Sequence, residues 1–241
     1  AVPIDMAKPM TFENGMDTLE VANEGTYTIN SDGSITFQPL KQFTGKATPV
    51  KVKRVDTNGT EVTATYTPTV TRVTPTSTNA ESTGLQGQPQ SGKPTFTPGD
   101  QAVPIDMTKD MTFDDGQKTK KVDKVGTYVI ESDGTITFTP DKQYVGTPAP
   151  VTVKRIDTNG TEVSATYTPT VTEVTPRSTN AESTGLQGQP QSGKPTFTPG
   201  DQAVPIDMAK PMTFENGTDT LVVANEGTYT INSDGTITFQ P

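Results

Sequence analysis

The sequence predicts an all-β protein built from tandem small antiparallel β-sandwich-like repeat domains of about 100 residues joined by polar linkers. Three observations lead to this prediction. The hexapeptide AVPIDM begins at Ala1, Ala102 and Ala203, which gives a repeat period of 101 residues. Within each repeat, apolar and polar residues alternate between short turn sequences. Gly and Pro each occur 21 times and recur too often for a long helix.

The repeats are near-copies of one another. Residues 1–39 match residues 203–241 at all but three positions, and residues 77–101 are identical to residues 178–202. A solenoid unit has only about 20 to 50 residues, so we expect each of these longer repeats to hold its own core. The last repeat stops at Pro241, which corresponds to Pro39, so we expect the sequence to be a section of a longer array.

Each of the first two repeats contains two predicted hairpins. In the first repeat, the alternating stretches 26–29 and 34–37 flank the turn sequence 30–33, and a second turn at 56–59 joins 50–53 to 62–67. The outward positions are mostly Thr, Ser, Lys or Glu, which suits sheets that have one solvated face. The residues predicted to fill the core include Tyr27, Phe37, Phe43, Tyr66, Met6 and Met10.

The stretch 77–93 lacks alternation and is rich in Ser, Thr, Asn, Gln and Gly, which is typical of a linker. The same sequence returns at 178–194. These segments divide the chain into predicted domains and linkers. The predicted order is a repeat domain truncated at its amino end over 1–76, a linker over 77–93, a complete repeat domain over 94–177, a linker over 178–194 and a partial repeat domain over 195–241.

Composition excludes most catalytic chemistry. The chain has no Cys and no His, which removes disulfides, thiolate nucleophiles, imidazole bases and the usual zinc ligand sets. Its net charge of −9 without a basic block argues against nucleic acid as a partner. No apolar run is long enough for membrane insertion. We therefore predict a protein that is not an enzyme, has no catalytic residues and no cofactor, and whose partners are neighbouring repeats of the same chain.

One short motif has the composition of a calcium site. In the second turn of the first repeat, oxygen-bearing residues stand at alternate positions beside a glycine, and the second repeat has the same pattern. The motif is half the length of a calcium loop, and Asn-Gly between alternating stretches is a preferred hairpin turn. We interpret it as a turn, with calcium as the alternative that calorimetric titration would reveal. The candidate ligands are Asp56, Asn58, Glu61, Asp157, Asn159 and Glu162.

An intramolecular amide bond between Lys and Asn is a second candidate brace. It needs a buried Lys, a facing Asn and a carboxylic acid close by, and Lys53, Asn58 and Asp106 are residues of the right types. Lys53 alternates with Val52 and is therefore expected on the solvated face, so we favour a free lysine. An intact mass lower by one ammonia per repeat would indicate the bond.

Several stretches together resemble the CshA-type fibril repeat of streptococcal fibrillar surface adhesins. The resemblance covers essentially the whole chain at the same period, and its motifs are structural. The matching stretches are GLQGQPQSG at 84–92, PTFTPGD at 94–100, VPID at 103–106, DGTITFTP at 133–140, VTVKR at 151–155 and ATYTPTV at 165–171. The resemblance implies a stalk of tandem all-β repeats that is anchored to the cell wall and holds an amino-terminal binding region away from the bacterium.

Two functional hypotheses follow. The favoured one is that these are extracellular stalk repeats of a cell-wall-anchored adhesin, which meets a host surface or other microbes through regions absent from this sequence. The alternative is that the repeats themselves bind a host matrix protein or glycan and gain strength from multivalency. An enzyme is least favoured, because Asp, Glu, Ser and Lys are distributed as turn and surface residues in every copy.

Overall fold

The computed structural model describes residues 2–241. All regular secondary structure in this range is β, and it forms several small sheets, as the sequence predicts. Pairing is antiparallel between neighbouring strands except for one parallel pair described below. The described residues include no helix with the length and apolar character that a bilayer crossing requires.

The strands follow the repeats in order. In the first repeat they are β1 Thr11–Phe12, β2 Thr18–Val21, β3 Gly25–Ile29, β4 Ile35–Pro39, β5 Gly45–Lys46, β6 Val50–Val55, β7 Glu61–Tyr66 and β8 Thr69–Val70. Between the repeats lie β9 Thr76–Thr78, β10 Ala80–Leu85, β11 Gln90–Gly92 and β12 Thr95–Thr97. The second repeat continues with β13 Thr112–Phe113, β14 Thr119–Val122, β15 Gly126–Ile130, β16 Ile136–Pro140, β17 Val151–Ile156 and β18 Glu162–Thr172. The last are β19 Arg177–Thr179, β20 Gln191–Gly193, β21 Thr196–Thr198, β22 Thr220–Val223, β23 Gly227–Ile231 and β24 Ile237–Gln240.

The described chain forms two compact units. One takes in the chain up to Thr78 together with Thr95–Met111 and Val153–Ala165. The other consists of Asn79–Pro94, Thr112–Thr152 and Thr166–Pro241.

The first predicted hairpin is β3 and β4. Its turn closes where the N–H of Asn30 donates to the carbonyl of Ser34 at 2.8 Å. Gly33 in this turn has a φ of +84°, a conformation that costs glycine little. Tyr27 pairs directly with Phe37 across the hairpin, and β2 extends the sheet in the order β2-β3-β4. The alternating residues on either side of this turn therefore form the hairpin that the sequence predicts.

The second hairpin of the first repeat is β6 and β7, and β1 completes a sheet in the order β1-β6-β7. Its inward residues Val50 and Val52 pack with Phe12 and Tyr27 in a buried core. The ring of Tyr27 lies 6.3 Å from that of Phe12 and at 72° to it, an edge-to-face contact. Each repeat that has both hairpins thus builds a small core between two sheets.

The second repeat has larger sheets than the first. One has the order β11-β16-β15-β14 and the other the order β10-β18-β17-β13. Phe113, Tyr128, Phe138 and Tyr167 are all completely buried. The additional strands β10 and β11 come from the segment that precedes the repeat.

This preceding segment differs from the linker that its composition suggests. β10 pairs in parallel with β18, β11 pairs with β16, and β9 pairs with β12. Its small and polar residues satisfy backbone and side-chain groups of distant strands, so they need no apolar alternation of their own. The domain boundaries inferred from the sequence stay a prediction.

The third repeat forms one sheet in the order β20-β24-β23-β22. The rings of Tyr229 and Phe239 lie 4.5 Å apart, as in the other repeats, but both are only half-buried. Within residues 2–241 no second hairpin packs against this sheet. Residues 181–186, which have the sequence of β10, form no strand here and are exposed.

The methionine near the start of each repeat is exposed, which differs from the core position that the sequence predicts. Met6 was predicted to fill the core, but it is 75% exposed, and its equivalents Met107 and Met208 are 73% and 86% exposed. The N–H of Lys8 donates to the carbonyl of Asp5, so Met6 lies in a turn that directs it outward. Met10, two residues beyond this turn, packs against the core as expected.

Candidate functional site

The segment Ala80–Gly92, which we call the docked segment, lies along two strands of the second repeat. Its first strand pairs in parallel with Tyr167–Thr172 through six residue pairs. Its second strand pairs antiparallel with Ile136–Phe138 through three. The segment therefore closes one edge of each of the two sheets of that repeat.

A cluster of polar side chains fixes the docked segment. The hydroxyl of Ser82 lies 2.6 Å from the phenolic hydroxyl of Tyr167 and donates to Oε1 of Gln90 at 2.6 Å. The side-chain amide of Gln90 in turn donates to the carbonyl of Thr170 at 3.0 Å. Side chains of both strands of the segment are thus bonded to β18, while the backbone of β10 pairs with β18 and that of β11 pairs with β16. These bonds satisfy the partly buried polar groups.

Gly92 gives the docked segment its close approach to the core. A Cβ atom at this position would lie 2.5 Å from the ring of Tyr167, closer than carbon atoms pack. Beyond it, the ammonium of Lys93 contacts the carboxylate of Asp133 at 3.2 Å. The N–H and the hydroxyl of Thr135, and then Lys93, lower the pKa of Asp133 to about 2.

Burial changes the acidity of the tyrosines beside this segment. It raises the pKa of Tyr167, an effect partly offset by the hydrogen bond with Ser82. Burial also raises the pKa of Tyr128 strongly, with smaller contributions from Tyr144 and Tyr167. Among the described residues the Tyr128 hydroxyl has no hydrogen-bond partner, whereas the hydroxyl of Tyr27 in the first repeat donates to the carbonyl of Thr48.

Two glutamines join consecutive repeats. The side-chain amide of Gln42, in the loop that follows the first hairpin of the first repeat, donates to the carbonyl of Asn159 in the second repeat. A cavity of about 430 Å³ lies beside this contact, between the loop and Val70–Val73. Gln88 of the docked segment donates to the carbonyl of Ala203 in the third repeat at 3.0 Å.

The calcium candidates lie in hairpin turns. Oδ1 of Asp56 accepts hydrogen bonds from the N–H groups of Asn58 and Thr60 at 2.9 and 2.8 Å. Oδ1 of Asp157 accepts the same bonds from Asn159 and Thr161, at 2.9 and 2.8 Å. These carboxylates close the turns, as expected where Asp begins a tight turn.

The remaining calcium candidates are the two glutamates of these turns. Glu61 contacts Lys53 at 3.3 Å, and Glu162 contacts Lys154 at 2.9 Å. Within residues 2–241 no three acidic side chains come together in the manner of a metal site. Asp157 is 1% exposed, and its Oδ2 has no hydrogen-bond partner in this range. The calcium alternative stays a prediction.

The candidates for an amide bond have other neighbours. Lys53 contacts Glu61, and the N–H of Asn58 donates to Asp56. Asp106, in the next repeat, accepts hydrogen bonds from the hydroxyl and the N–H of Thr108, which lower its pKa. The amide bond likewise stays a prediction.

The sequence does not predict the docked segment or the glutamine contacts, since each depends on residues far apart in the chain. One signal was available. The stretch 77–101 is repeated without a single change at 178–202, whereas the sequences of the hairpins differ from one repeat to the next. Such constancy in a polar stretch is more than a flexible linker requires, because a linker depends on composition and length.

Comparison with known proteins finds a family match over nearly the whole chain. Residues 1–70, 72–171 and 173–241 match the family described as the surface adhesin CshA repetitive domain. Among solved structures, the chain is 63% identical to repeat domain 13 of the fibrillar adhesin CshA from Streptococcus gordonii, with a TM-score of 0.18. That match covers 29% of this chain and 90% of the other. No match was found among curated proteins.

Two further solved structures are more distant. The fibronectin(III)-like modules of Clostridium thermocellum CbhA are 13% identical over 68% of this chain and 95% of theirs, with a TM-score of 0.26. The three N-terminal domains of the bacteriophage RB49 outer capsid protein Hoc are 13% identical over 99% of this chain and 86% of theirs, with a TM-score of 0.31.

Proposed function

Because the chain belongs to the family of surface adhesin CshA repetitive domains, we propose that its repeats act as a stalk that spaces an adhesive region from the bacterial surface. Membership of this family makes the chain part of an extracellular surface protein. The spacing role and attachment to the cell wall are the proposal. The repeats perform no catalysis in this role, which depends on the length of the array.

The observation that carries the proposal is the bonding between consecutive repeats. The docked segment is paired along nine residue positions of the second repeat instead of remaining a free linker. Gln42 and Gln88 add side-chain hydrogen bonds from one repeat to the next. A hydrogen-bonded connection allows fewer conformations than a flexible chain of the same length, so each added repeat is expected to extend the array.

The surface suits a long array. A net charge of −9 over the chain, together with threonine-rich outer strand faces, keeps identical neighbours soluble at high local concentration. The partners in this role are neighbouring repeats, and contacts with a host surface or other microbes are made by other regions of the protein. Neither nucleic acid nor membrane insertion has a part in it.

Small-angle scattering tests the spacing role. We expect the maximum dimension to rise by a constant increment when whole 101-residue repeats are added to this chain. Gln42→Ala should broaden the distribution of dimensions, whereas the equivalent Gln143→Ala serves as the matched control. Growth as a compact globule would contradict the stalk. Retention of a host matrix protein or glycan by the immobilised repeats would favour the binding alternative instead.

A further inference from the structure

Each repeat has one strand edge that stays open beside its neighbours. β2 ends the sheet of the first hairpin in the first repeat, and β14 and β22 take the same place in the second and third repeats. The first repeat is followed, and the second is preceded, by a repeat with both hairpins. Within residues 2–241 no strand pairs with the outer side of β2 or of β14. A neighbouring repeat on either side thus leaves this edge open.

The edges of the first two repeats carry opposite charges. The stretch 17–24, which contains β2, has three acidic residues and no basic one. The equivalent stretch 118–125, which contains β14, has four lysines and a single aspartate. Opposite charge on two equivalent surfaces lets one attract the other while each repels its own kind.

Glu20 and Lys121 occupy the same position on these two strands. Both are exposed, and Glu20 lies on the solvated face, because its neighbour Leu19 pairs with the buried Tyr27 on the inner face. Neither Glu20 nor Lys121 forms an ion pair within residues 2–241. The third repeat has Val222 at this position, where it is 71% exposed. The three repeats thus differ here in the charge that they present to solvent.

Other charges of the two stretches are held within their own chain. The carboxylate of Glu24 accepts hydrogen bonds from the N–H and the hydroxyl of Thr48 at 2.8 and 2.7 Å. The ammonium of Lys120 contacts the carboxylate of Asp114. Lys121 is therefore the charge of β14 that is available to a partner, as Glu20 is that of β2.

The backbone of the same two residues faces the open edge. The carbonyl of Asp17 accepts a hydrogen bond from the N–H of Ile29 in β3, at 2.8 Å. Because the direction of these groups alternates along an antiparallel strand, the N–H and carbonyl of Glu20 point away from β3. The equivalent bond in the second repeat turns those of Lys121 away from β15. Each residue thus offers one donor and one acceptor to an added strand.

We propose that β2 of one copy of this chain pairs antiparallel with β14 of a second copy and joins the two chains edge to edge. Glu20 lies opposite Lys121, with two backbone hydrogen bonds between them and the carboxylate beside the ammonium. Leu19 lies opposite Val122 on the inner face. Because each copy has both strands, the association can continue beyond a dimer. It adds a contact between chains to the spacing role and does not rest on that role.

The charges select which edges pair. Two copies of β2 would set Glu20 opposite Glu20, and two copies of β14 would set Lys121 opposite Lys121, and like charges directly opposite each other are unfavourable. Charges that served only to keep edges apart would have the same sign in both repeats. Opposite signs instead prevent each edge from pairing with its own kind and favour pairing with the other.

One backbone contact also selects the register. A shift by two residues would set Thr18 opposite Lys121 and use the carbonyl of Thr18. This carbonyl already accepts a hydrogen bond from the side-chain amide of Asn14 at 3.3 Å. The register with Glu20 opposite Lys121 leaves that bond intact.

Charge reversal tests the contact. In sedimentation and light scattering at low ionic strength, up to millimolar concentration, Glu20→Lys and Lys121→Glu should each associate about tenfold more weakly than wild type, since each replaces an opposite pair by a like one. Added salt should weaken the wild-type association. Glu173→Lys, at an exposed position outside the edge strands, changes the net charge as Glu20→Lys does and is the control. A wild-type chain that stays monomeric would overturn the proposal, as would equal association of all variants.

Mixing the two variants tests whether the charges act as a pair. The Glu20→Lys chain has lysine at both edges and the Lys121→Glu chain has glutamate at both, so each alone lacks a complementary edge. The mixture should recover the association of the wild type, and failure to do so would overturn the proposal. Val222→Thr should associate as the wild type does. Loss of association in Val222→Thr would assign the contact to β22 and would also overturn the proposal.

Cross-linking tests the register. A carbodiimide joins a carboxylate to an ammonium in contact with it and leaves no spacer, so it should link Glu20 of one chain to Lys121 of another. In a mixture of isotope-labelled and unlabelled chains, mass spectrometry should find this link between peptides of different label. Links from Glu20 chiefly to other lysines, or only within chains of one label, would show that the contact is not the proposed one.

Discussion

Ser82 and Tyr167 lie 85 residues apart in the chain, and their hydroxyl oxygens are 2.6 Å from each other. This hydrogen bond joins a polar stretch that precedes the second repeat to the last strand of that repeat. The repeat therefore includes residues that its composition would assign to a linker.

Removing the tyrosine hydroxyl tests the bond itself. Tyr167→Phe leaves the buried ring in place but removes one of the two hydrogen-bond partners of Ser82, so we expect the second repeat to lose about 1 kcal/mol of stability. Chemical denaturation with tyrosine fluorescence measures this loss. Tyr66→Phe is the matched control in the first repeat, where the docked segment has no equivalent among the described residues, and it should cost less. Equal losses would contradict the role of Ser82.

Gly92→Ala tests the close approach of the docked segment. The added methyl would lie 2.5 Å from the Tyr167 ring, so either the ring or the segment must move. We expect a loss of about 1–3 kcal/mol and greater hydrogen exchange over Ala80–Leu85. Gly193→Ala provides the control, since the nearest atom to its Cβ is 3.1 Å away. Unchanged exchange in Gly92→Ala would show that the segment is not held by this contact.

Alkaline unfolding should follow the buried tyrosines. Burial raises the pKa of Tyr128 and Tyr167 in the folded state above the value of about 10 in the unfolded chain. Their stabilising contribution is complete below about pH 10 and is lost as the pH rises through the folded values. The part of the tyrosinate absorbance that comes from Tyr128 and Tyr167 should appear together with the loss of the folded circular dichroism signal. Full ionisation of all six tyrosines without unfolding would contradict this prediction.

Acid should weaken the turn that holds Lys93. The pKa of Asp133 is lowered to about 2 by Thr135 and Lys93, so its contribution is present above the unfolded value of about 4 and is lost as the pH falls through about 2. We expect the stability difference between wild type and Asp133→Asn to shrink over this interval. Denaturation curves at several pH values measure it. A difference that stays constant from pH 5 to pH 2 would contradict the prediction.

The sequence predicts the hairpins well, because their information is local. Alternation around Tyr27 and Phe37, with a turn sequence between them, is sufficient for the register that the structure has. The docked segment lacks such a pattern, since Ser82 and Gly92 matter only beside Tyr167. Met6 shows the opposite failure, in which an apolar side chain suggests a core position but a local turn directs it to solvent.

At the candidate site, too, contacts within a turn can be predicted from the sequence, whereas contacts between distant residues cannot. Asp56 and Asp157 could be assigned to turns from their neighbours in sequence, and each carboxylate accepts two backbone N–H groups of its turn. The contact of Gln42 with Asn159 could not be inferred, because nothing near either residue indicates a partner 117 positions away. Contacts between repeats require the relative placement of their loops, which alternation within a strand does not encode.

The parallel pairing of β10 with β18 has a mechanical consequence. When the chain is stretched, tension enters the second repeat at Ala80 and leaves it at Thr172, which lie at opposite ends of two adjacent parallel strands. The pull is then a shear across all six residue pairs at once, instead of a peeling of one pair after another. In single-molecule pulling we expect the second repeat to rupture at higher force than the first, and equal forces would contradict this geometry. The stretch Ala80–Leu85, whose composition suggests a flexible linker, would be the part of the repeat that resists extension.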